Sequence, residues 1–285
     1  KNNISKFAPR NGFPNLRTIS GIKLASINAN ISKGDKLDLL LIKASQNSII
    51  AGLFTKSETC SAAVEWSRKN MKKCQSNKES LGILVNSGNA NVFTGSSGTI
   101  AVKESVSSVA RYLNAPEENI FIASTGVIGE FLDQKKIISK ADELVKKLKP
   151  DSFFNAAKAI MTTDTFPKGV HTEFTLNGIK IKINGLAKGS GMIAPNMATM
   201  LVFIFSDIAI EKHLLQKIIT RCNKKTFNCI TVDSDTSTSD SLFAIATGKA
   251  KMTKITSLKD PRVAVLEKYL TEIMLKLAKL VIKDG

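Results

Sequence analysis

The sequence is short of the side chains that most often do chemistry at neutral pH. It contains only two histidines, His171 and His213, and four cysteines, none of which has CxxC spacing. A tetrahedral zinc site needs several such ligands at short spacings, and Ser-His-Asp or Cys-His catalysis needs a histidine base. We therefore expect no metal and no histidine-dependent hydrolase. The scattered cysteines are typical of a reducing cytoplasm.

Long apolar runs are also lacking. The longest, such as residues 200–205, are far too short to cross a bilayer. Residues 1–20 are polar and contain no apolar stretch of the kind found in a secretory signal peptide. The sequence therefore predicts no membrane segment and a cytoplasmic protein.

Positive charge is present in excess, with 41 Lys and Arg against 24 Asp and Glu and a net charge of +17. Such a balance raises the possibility of nucleic-acid binding. Nearly all of the charge comes from dispersed lysines, which argues against that function. The sequence indicates no nucleic-acid partner, although a non-catalytic basic binding protein remains an alternative. A positive field would also attract small carboxylate substrates.

Apolar strand-like runs alternate with amphipathic helical segments, which predicts a mixed α/β protein. The Asn177-Gly178 step between two such runs is a strong hairpin signal. We predict strands at residues 37–44, 49–54, 81–86, 120–124, 172–176, 180–186 and 199–206. We predict helices at residues 99–113, 135–148, 153–161, 211–225 and 263–279.

Five polar segments stand beside these apolar runs, and each allows an ordinary structural explanation. An Asn- and Gly-rich segment favours a turn, and a Thr-Gly step after a strand could be a tight turn or an oxyanion-stabilising pair. The Gly-rich loop lacks P-loop spacing, and the last segment lacks the Gly and closing Glu of an EF-hand. The segments are VNSGNAN (85–91), ASTGVIG (123–129), IMTTDTFPK (160–168), GLAKGSGMIAPNMATML (185–201) and TVDSDTSTSD (231–240).

Together and in this order, the five segments resemble the ornithine acetyltransferase family of arginine biosynthesis, from about residue 21 to residue 285. The resemblance implies an αββα-type sandwich with a second, smaller lobe. It also implies self-cleavage between Ala198 and Thr199. The products would be an α chain of residues 1–198 and a β chain that starts with residues 199–285. Two α and two β chains would form a heterotetramer.

The resemblance places the nucleophile at Thr199, the oxyanion hole at Thr125 and Gly126, and substrate binding at Thr162, Lys188 and Thr199. Cleavage would give Thr199 an α-amine with a pKa of about 8, which can act as its general base. The acetyl group would pass from N-acetylornithine to glutamate without a cofactor. Use of acetyl-CoA as a second donor stays open. We expect Lys188, as an exposed cation, to pair with a substrate carboxylate.

Family members continue well beyond residue 285, through a Gly-Glu-Gly stretch and a C-terminal Asn that also line the site. The chain is therefore expected to be C-terminally truncated. The main alternative is a related N-terminal-nucleophile aminopeptidase, which explains a cut at Thr199 but not the whole set of segments. An assay that distinguishes acetyl transfer from amide hydrolysis would separate the acetyltransferase from the aminopeptidase. The basic binding protein instead predicts no cleavage and a polyanion affinity that falls steeply with salt.

Overall fold

The computed structural model describes residues 4–74, 78–192, 200–234 and 237–285. They form a mixed α/β structure with two sheets, which confirms the predicted fold class. Within these ranges, no helix is both long and apolar enough to cross a membrane. The described strands are β1 (Ile22–Ile27), β2 (Leu39–Ala44), β3 (Ile49–Phe54), β4 (Leu81–Asn89), β5 (Ile120–Val127), β6 (Lys168–Leu176), β7 (Ile179–Lys188), β8 (Leu201–Ser206) and β9 (Ser241–Ala246).

The helices agree with the sequence prediction except at two places. The helix predicted at residues 135–148 is two short helices, and the Ser139 hydroxyl donates to the Lys136 carbonyl where the first one ends. A local bond of this kind competes with the helical ladder. The first helix of the chain, like strands β1 and β9, was not predicted. The described α-helices are α1 (Ala62–Lys73), α2 (Gly95–Leu113), α3 (Gln134–Ile138), α4 (Ala141–Lys146), α5 (Phe153–Ala159), α6 (Lys212–Lys224) and α7 (Pro261–Ile282).

Two sheets organise these strands. The first has the order β1-β2-β4-β5, and only its β4–β5 pair is parallel. The second has the order β3-β9-β8-β7-β6, and only its β8–β9 pair is parallel. The predicted hairpin joins β6 to β7, with Asn177 and Gly178 both at positive φ. Positive φ at both central residues is the requirement of a type I′ turn.

Alternation along the strands sorts the side chains into separate apolar layers. In β2, Leu39 and Leu41 pack in the cluster that includes α2 and α4, whereas Leu40 and Ile42 pack between the sheets. The second sheet behaves in the same way, since its other face packs against α6 and α7. Successive side chains of a strand point to opposite faces, so both sheets are buried on both sides. The layers are therefore helices, sheet, sheet and helices.

A group of phenylalanines joins the two sheets at the centre of the sandwich. Phe243 of β9 stacks on Phe203 of β8, with ring centroids 5.9 Å apart. It also meets Phe121 of β5 edge-on at 6.1 Å and Phe54 of β3 at 5.5 Å. Because Phe121 belongs to the other sheet, these contacts fix the two sheets relative to each other. Aromatic pairs of this kind stabilise beyond the area they bury.

We expect Phe243→Ala to lower the free energy of unfolding by about 3–5 kcal/mol, because it leaves a cavity between the sheets. The matched control is Phe154→Ala, since Phe154 also touches another ring but is 47% exposed. Urea unfolding of both variants measures the difference. Equal losses in the two variants would show that the ring cluster does not hold the sheets together.

Candidate active site

A cavity of about 780 Å³ opens where strand ends of the two sheets meet. Four predicted site residues, Thr125, Gly126, Thr162 and Lys188, line it. The predicted cleavage residues Ala198 and Thr199 lie outside the described residues. All five polar segments contribute to the wall. The other lining residues are Ile31, Ser32, Lys33, Lys36, Gly88, Ala90, Val127, Ile128, Glu130, Thr163, Gly191, Met192, Asp233, Ser237, Thr238 and Ser239.

The first two segments meet as the ends of the parallel strands β4 and β5. The NSGNAN segment therefore begins in a strand that continues to Asn89, where we had favoured a turn. Gly126 has φ +133°, and a Cβ on it would lie 2.3 Å from the Gly88 carbonyl carbon. Only glycine fits such a close approach of two backbones. Behind this contact, the Ser124 hydroxyl donates to Asn86 Oδ1 at 2.7 Å.

Lys188, at the end of β7, is buried rather than exposed as we expected, with 3% of its surface accessible. Its ammonium donates to Thr125 Oγ1 at 3.2 Å, which brings a predicted substrate-binding residue to a predicted oxyanion residue. Burial lowers the pKa of Lys188, because it removes the ammonium from water, and the Asp164 carboxylate opposes that shift.

The MTTDTFPK segment forms the floor beside Lys188. The Asp164 carboxylate accepts the backbone N–H of Thr162 at 3.1 Å, and the Thr163 hydroxyl lies 2.8 Å from that of Ser190. Burial raises the pKa of Asp164, but the nearby ammoniums of Lys188 and Lys168 outweigh burial and lower it overall. Thr162 and Thr163 of this segment line the cavity, and Asp164 is the buried charge that follows them in the chain.

Asp240, just before β9, anchors the residue that follows Thr199 in the chain. Its Oδ1 accepts the Met200 N–H at 2.6 Å, and the residue is completely buried. Burial raises the pKa of the Asp240 carboxyl well above its ordinary value, although the Met200 N–H, Ser237 and Lys188 oppose the shift. A neutral carboxyl group is therefore favoured at this position.

The acidic TVDSDTSTSD segment contributes hydrogen bonds to the site. Asp233 accepts the Met192 N–H at 2.8 Å, so Asp233 and Asp240 of this segment both bond to backbone N–H groups of the Gly-rich segment 185–201. No group of three or more His, Cys, Asp or Glu side chains is placed to hold a metal ion among the described residues. Asp233 and Asp240 of this segment thus act as hydrogen-bond acceptors for the backbone.

Sequence reasoning missed one wall of the cavity, residues 31–36. This loop is organised by Asp38, a buried residue just before β2. Its carboxylate accepts the backbone N–H groups of Ala29, Ile31 and Ser32 at 2.7–2.8 Å. The only sequence signal was an aspartate directly before an apolar strand, and such a residue is common in turns.

A second cavity of about 790 Å³ lies against β3, α1 and the start of α6. Its basic residues include Arg68, Lys72, Lys212 and Lys254. Two of these cations are already engaged, since Arg68 donates to the Thr55 carbonyl and Lys212 to the Met71 carbonyl. The predicted site residues that the structure describes all line the other cavity, which is therefore the candidate active site.

We expect Asp240→Asn to become relatively more stable as the pH rises. A carboxyl whose pKa is raised by folding binds its proton more tightly in the folded protein, so wild-type stability falls above about pH 3.9. The variant lacks this titration, so its free energy of unfolding, minus that of wild type, should increase as the pH rises above about 4. Urea unfolding at several pH values measures the difference. The exposed Asp151→Asn substitution is the control, and a pH-independent difference for Asp240→Asn would contradict the expectation.

Comparison with known proteins gives a family match over most of the chain. The ArgJ family model matches residues 23–285. The arginine biosynthesis bifunctional protein ArgJ of Bartonella henselae is 44% identical over 282 residues, which cover 99% of this chain and 68% of that protein. The family match thus includes all of the polar segments from which the resemblance was drawn.

Solved structures give two further likenesses. The ornithine acetyltransferase of Mycobacterium tuberculosis, solved with ornithine, is 25% identical with a TM-score of 0.50 and covers 62% of this chain and 92% of its own. The L-aminopeptidase D-Ala-esterase/amidase of Ochrobactrum anthropi has a TM-score of 0.55 over 92% of this chain and 84% of its own. At 8% identity, that likeness shows the fold alone. From the family match and the 44% identity, the chain belongs to the ArgJ family and is an acyltransferase of arginine biosynthesis.

Proposed function

We propose that the chain is a glutamate N-acetyltransferase that moves acetyl from N-acetylornithine to glutamate through an acetyl ester on Thr199. The nucleophile forms by self-cleavage between Ala198 and Thr199. The observation that carries the proposal is the 3.2 Å contact between the Lys188 ammonium and Thr125 Oγ1 on the wall of the cavity. The ornithine-bound relative from Mycobacterium tuberculosis supports the choice of substrate.

The Lys188 contact prepares the Thr125 hydroxyl to act as a donor. An ammonium has three donors and no acceptor, so Thr125 Oγ1 must accept from Lys188. The hydroxyl hydrogen is then free to point elsewhere, and the adjacent positive charge makes it a stronger donor. Gly126, with its backbone in a conformation that glycine favours, supplies the second donor as a backbone N–H. Two donors aimed at one oxygen form an oxyanion hole.

The reaction then proceeds in two balanced steps. Thr199 Oγ attacks the acetyl carbonyl of N-acetylornithine while its hydroxyl proton passes to the Thr199 α-amine. The C–N bond to ornithine breaks, and the proton leaves with the ornithine amine. The glutamate amine next attacks the acetyl ester, restoring the Thr199 hydroxyl and releasing N-acetylglutamate. The charge that develops on the carbonyl oxygen in both steps is stabilised by Thr125 and Gly126.

The second sheet provides a reason for the two products of cleavage to stay together. Its order is β3-β9-β8-β7-β6, so β8 and β9, which follow the cut, pair with β7 and β3, which precede it. Helix α7 also packs its apolar side chains in the cluster that contains residues of β6 and β7. This interleaving supports an α chain and a β chain that remain associated, in the proposed heterotetramer of two copies of each.

Other parts of the cavity suit small charged substrates. Lys33, Lys36 and Lys188 all line it, and Glu130 is also present, so both substrate carboxylates and the ornithine amine have potential partners. The name of the Bartonella henselae relative includes the word bifunctional. This supports a second activity, for which acetyl-CoA would be the donor.

Self-cleavage predicts two species in the intact mass spectrum of the denatured complete natural protein. Their masses should add up to that of the precursor plus one water, with the second species starting at Thr199. Thr199→Ala should remain a single chain, because it has no hydroxyl to attack the preceding bond. Native chromatography should elute both wild-type pieces together. An uncut wild-type protein would refute the N-terminal nucleophile.

Thr125→Ala should lower kcat for acetyl transfer by about 10²–10³, as expected for loss of one oxyanion donor. Thr125→Ser keeps the hydroxyl and should retain most of the activity. Labelled acetyl-ornithine with glutamate measures transfer, and released acetate measures hydrolysis. Acetate without acetylglutamate would instead favour the aminopeptidase-like hydrolase.

A further inference from the structure

Asp164 lies at the centre of a buried group of charges behind the cavity. Its Oδ1 accepts from Lys168 Nζ at 2.6 Å and from the Gly189 N–H at 2.7 Å, while Oδ2 accepts the Thr162 N–H. The side chains of Asp164 and Lys168 have no exposed surface. A single carboxylate is thus bonded both to Thr162 and to the residue that follows Lys188.

A second carboxylate closes the group from the other side. Lys168 Nζ also donates to Asp284 Oδ2 at 2.5 Å, and this side chain is equally inaccessible. Asp284 follows helix α7 and accepts the Thr165 N–H at 3.0 Å. The end of α7 is therefore bonded directly to the loop that presents Thr162.

The charges of this group and of Lys188 balance when Asp164 and its three neighbours are all ionised. Lys168 and Lys188 are two buried ammoniums, and Asp164 and Asp284 are two buried carboxylates. An unpaired buried charge is unfavourable by several kcal/mol, so each ammonium needs a nearby negative charge to stay protonated. Among the described residues, Lys188 donates its hydrogen bond to the Thr125 hydroxyl and not to a carboxylate, so a compensating negative charge acts on it through space.

The remaining charged groups near Lys188 do not replace Asp164. Lys168 and Lys36 are cations, and they lower the pKa of Lys188 together with burial. Asp240 raises it, but burial favours the neutral form of that carboxyl. Of these groups, Asp164 does most to raise the pKa of Lys188 against the effect of burial.

We propose that Asp164 is a positioning residue, whose hydrogen bonds fix Thr162 and Gly189 around the substrate and whose carboxylate, held in the Asp164–Lys168–Asp284 cluster, is the counter-charge of Lys188. Substrate touches Lys188 and Thr162, whereas Asp164 acts only through them. The kinetic consequence rests on the proposed acetyl transfer, but the protonation of Lys188 does not. An experiment can therefore contradict the role of Asp164 without contradicting the proposed acetyl transfer, and the reverse.

The test is Asp164→Asn in the complete natural protein, which keeps the shape and removes the charge. The kcat/KM for acetyl transfer should rise with pH as the Thr199 amine loses its proton and fall as Lys188 does. In the variant, the alkaline limb should shift to lower pH by about one unit or more, which is a tenfold change in the acid dissociation constant of Lys188. The acid limb should stay at the same pH. Asp164→Glu keeps the charge and should restore the alkaline limb.

The matched control is Asp142→Asn. Asp142 pairs with Lys146 at the same i,i+4 spacing and the same 2.6 Å distance as Asp164 with Lys168, but on an exposed surface. This variant removes a charge and an ion pair of the same kind from the same protein. It should leave both limbs of the pH profile in place.

A second readout does not depend on activity. In protein labelled with ¹³C at lysine Cε, the Lys188 signal, assigned from its loss in Lys188→Met, should titrate at lower pH in Asp164→Asn. Asp284→Asn should also lower the titration midpoint of the Lys188 signal, because this variant removes the other negative charge of the cluster. Asp284→Asn takes the place of Asp164→Asn if the latter does not fold. An unmoved Lys188 midpoint in the folded variants would overturn the inference. Absence of acetyl transfer in wild type would refute only the proposed function.

Discussion

The packing of the two sheets face to face is the constraint on which the site depends. Phe121 and Phe243 meet across the interface and fix one sheet on the other. The parallel registers of β4 with β5 and of β8 with β9 then align strand ends within each sheet. Thr125 and Lys188, which are 63 residues apart, come within hydrogen-bond distance only because both sheets end at the same cavity.

Charge at this cavity is buried, and burial changes what the charged groups can do. A solvated lysine would be an ordinary cation, but Lys188 is held away from water beside Thr125, and its protonation depends on its neighbours. Burial also favours the neutral form of Asp240, because it raises the pKa of that carboxyl more than the Met200 N–H, Ser237 and Lys188 lower it. Two residue types that are common on surfaces thus acquire different chemistry according to which partner the fold supplies.

The order of the strands in the second sheet differs from their order in the chain. Strands from both sides of the proposed cut therefore pair with each other. Residue 199 falls between β7 and β8, which are neighbours in the second sheet. The hydrogen bonds between β7 and β8, and between β3 and β9, join strands and do not involve the connection between β7 and β8. A cut at residue 199 would therefore leave these hydrogen bonds in place. The Asp284–Lys168 bond adds a buried ionic contact across the same point in the chain.

The sequence by itself determined the mixed α/β class and the hairpin at Asn177-Gly178, because periodicity and turn chemistry are local properties. The family resemblance predicted Thr125, Gly126, Thr162 and Lys188 as site residues, and these four line one cavity. The sequence did not predict strands β1 and β9 or helix α1. The tertiary structure alone decided that Lys188 is buried and that Asp164 connects it to Thr162 and, through Lys168, to Asp284. Burial and long-range pairing follow from how the layers pack, and a linear pattern does not contain that information.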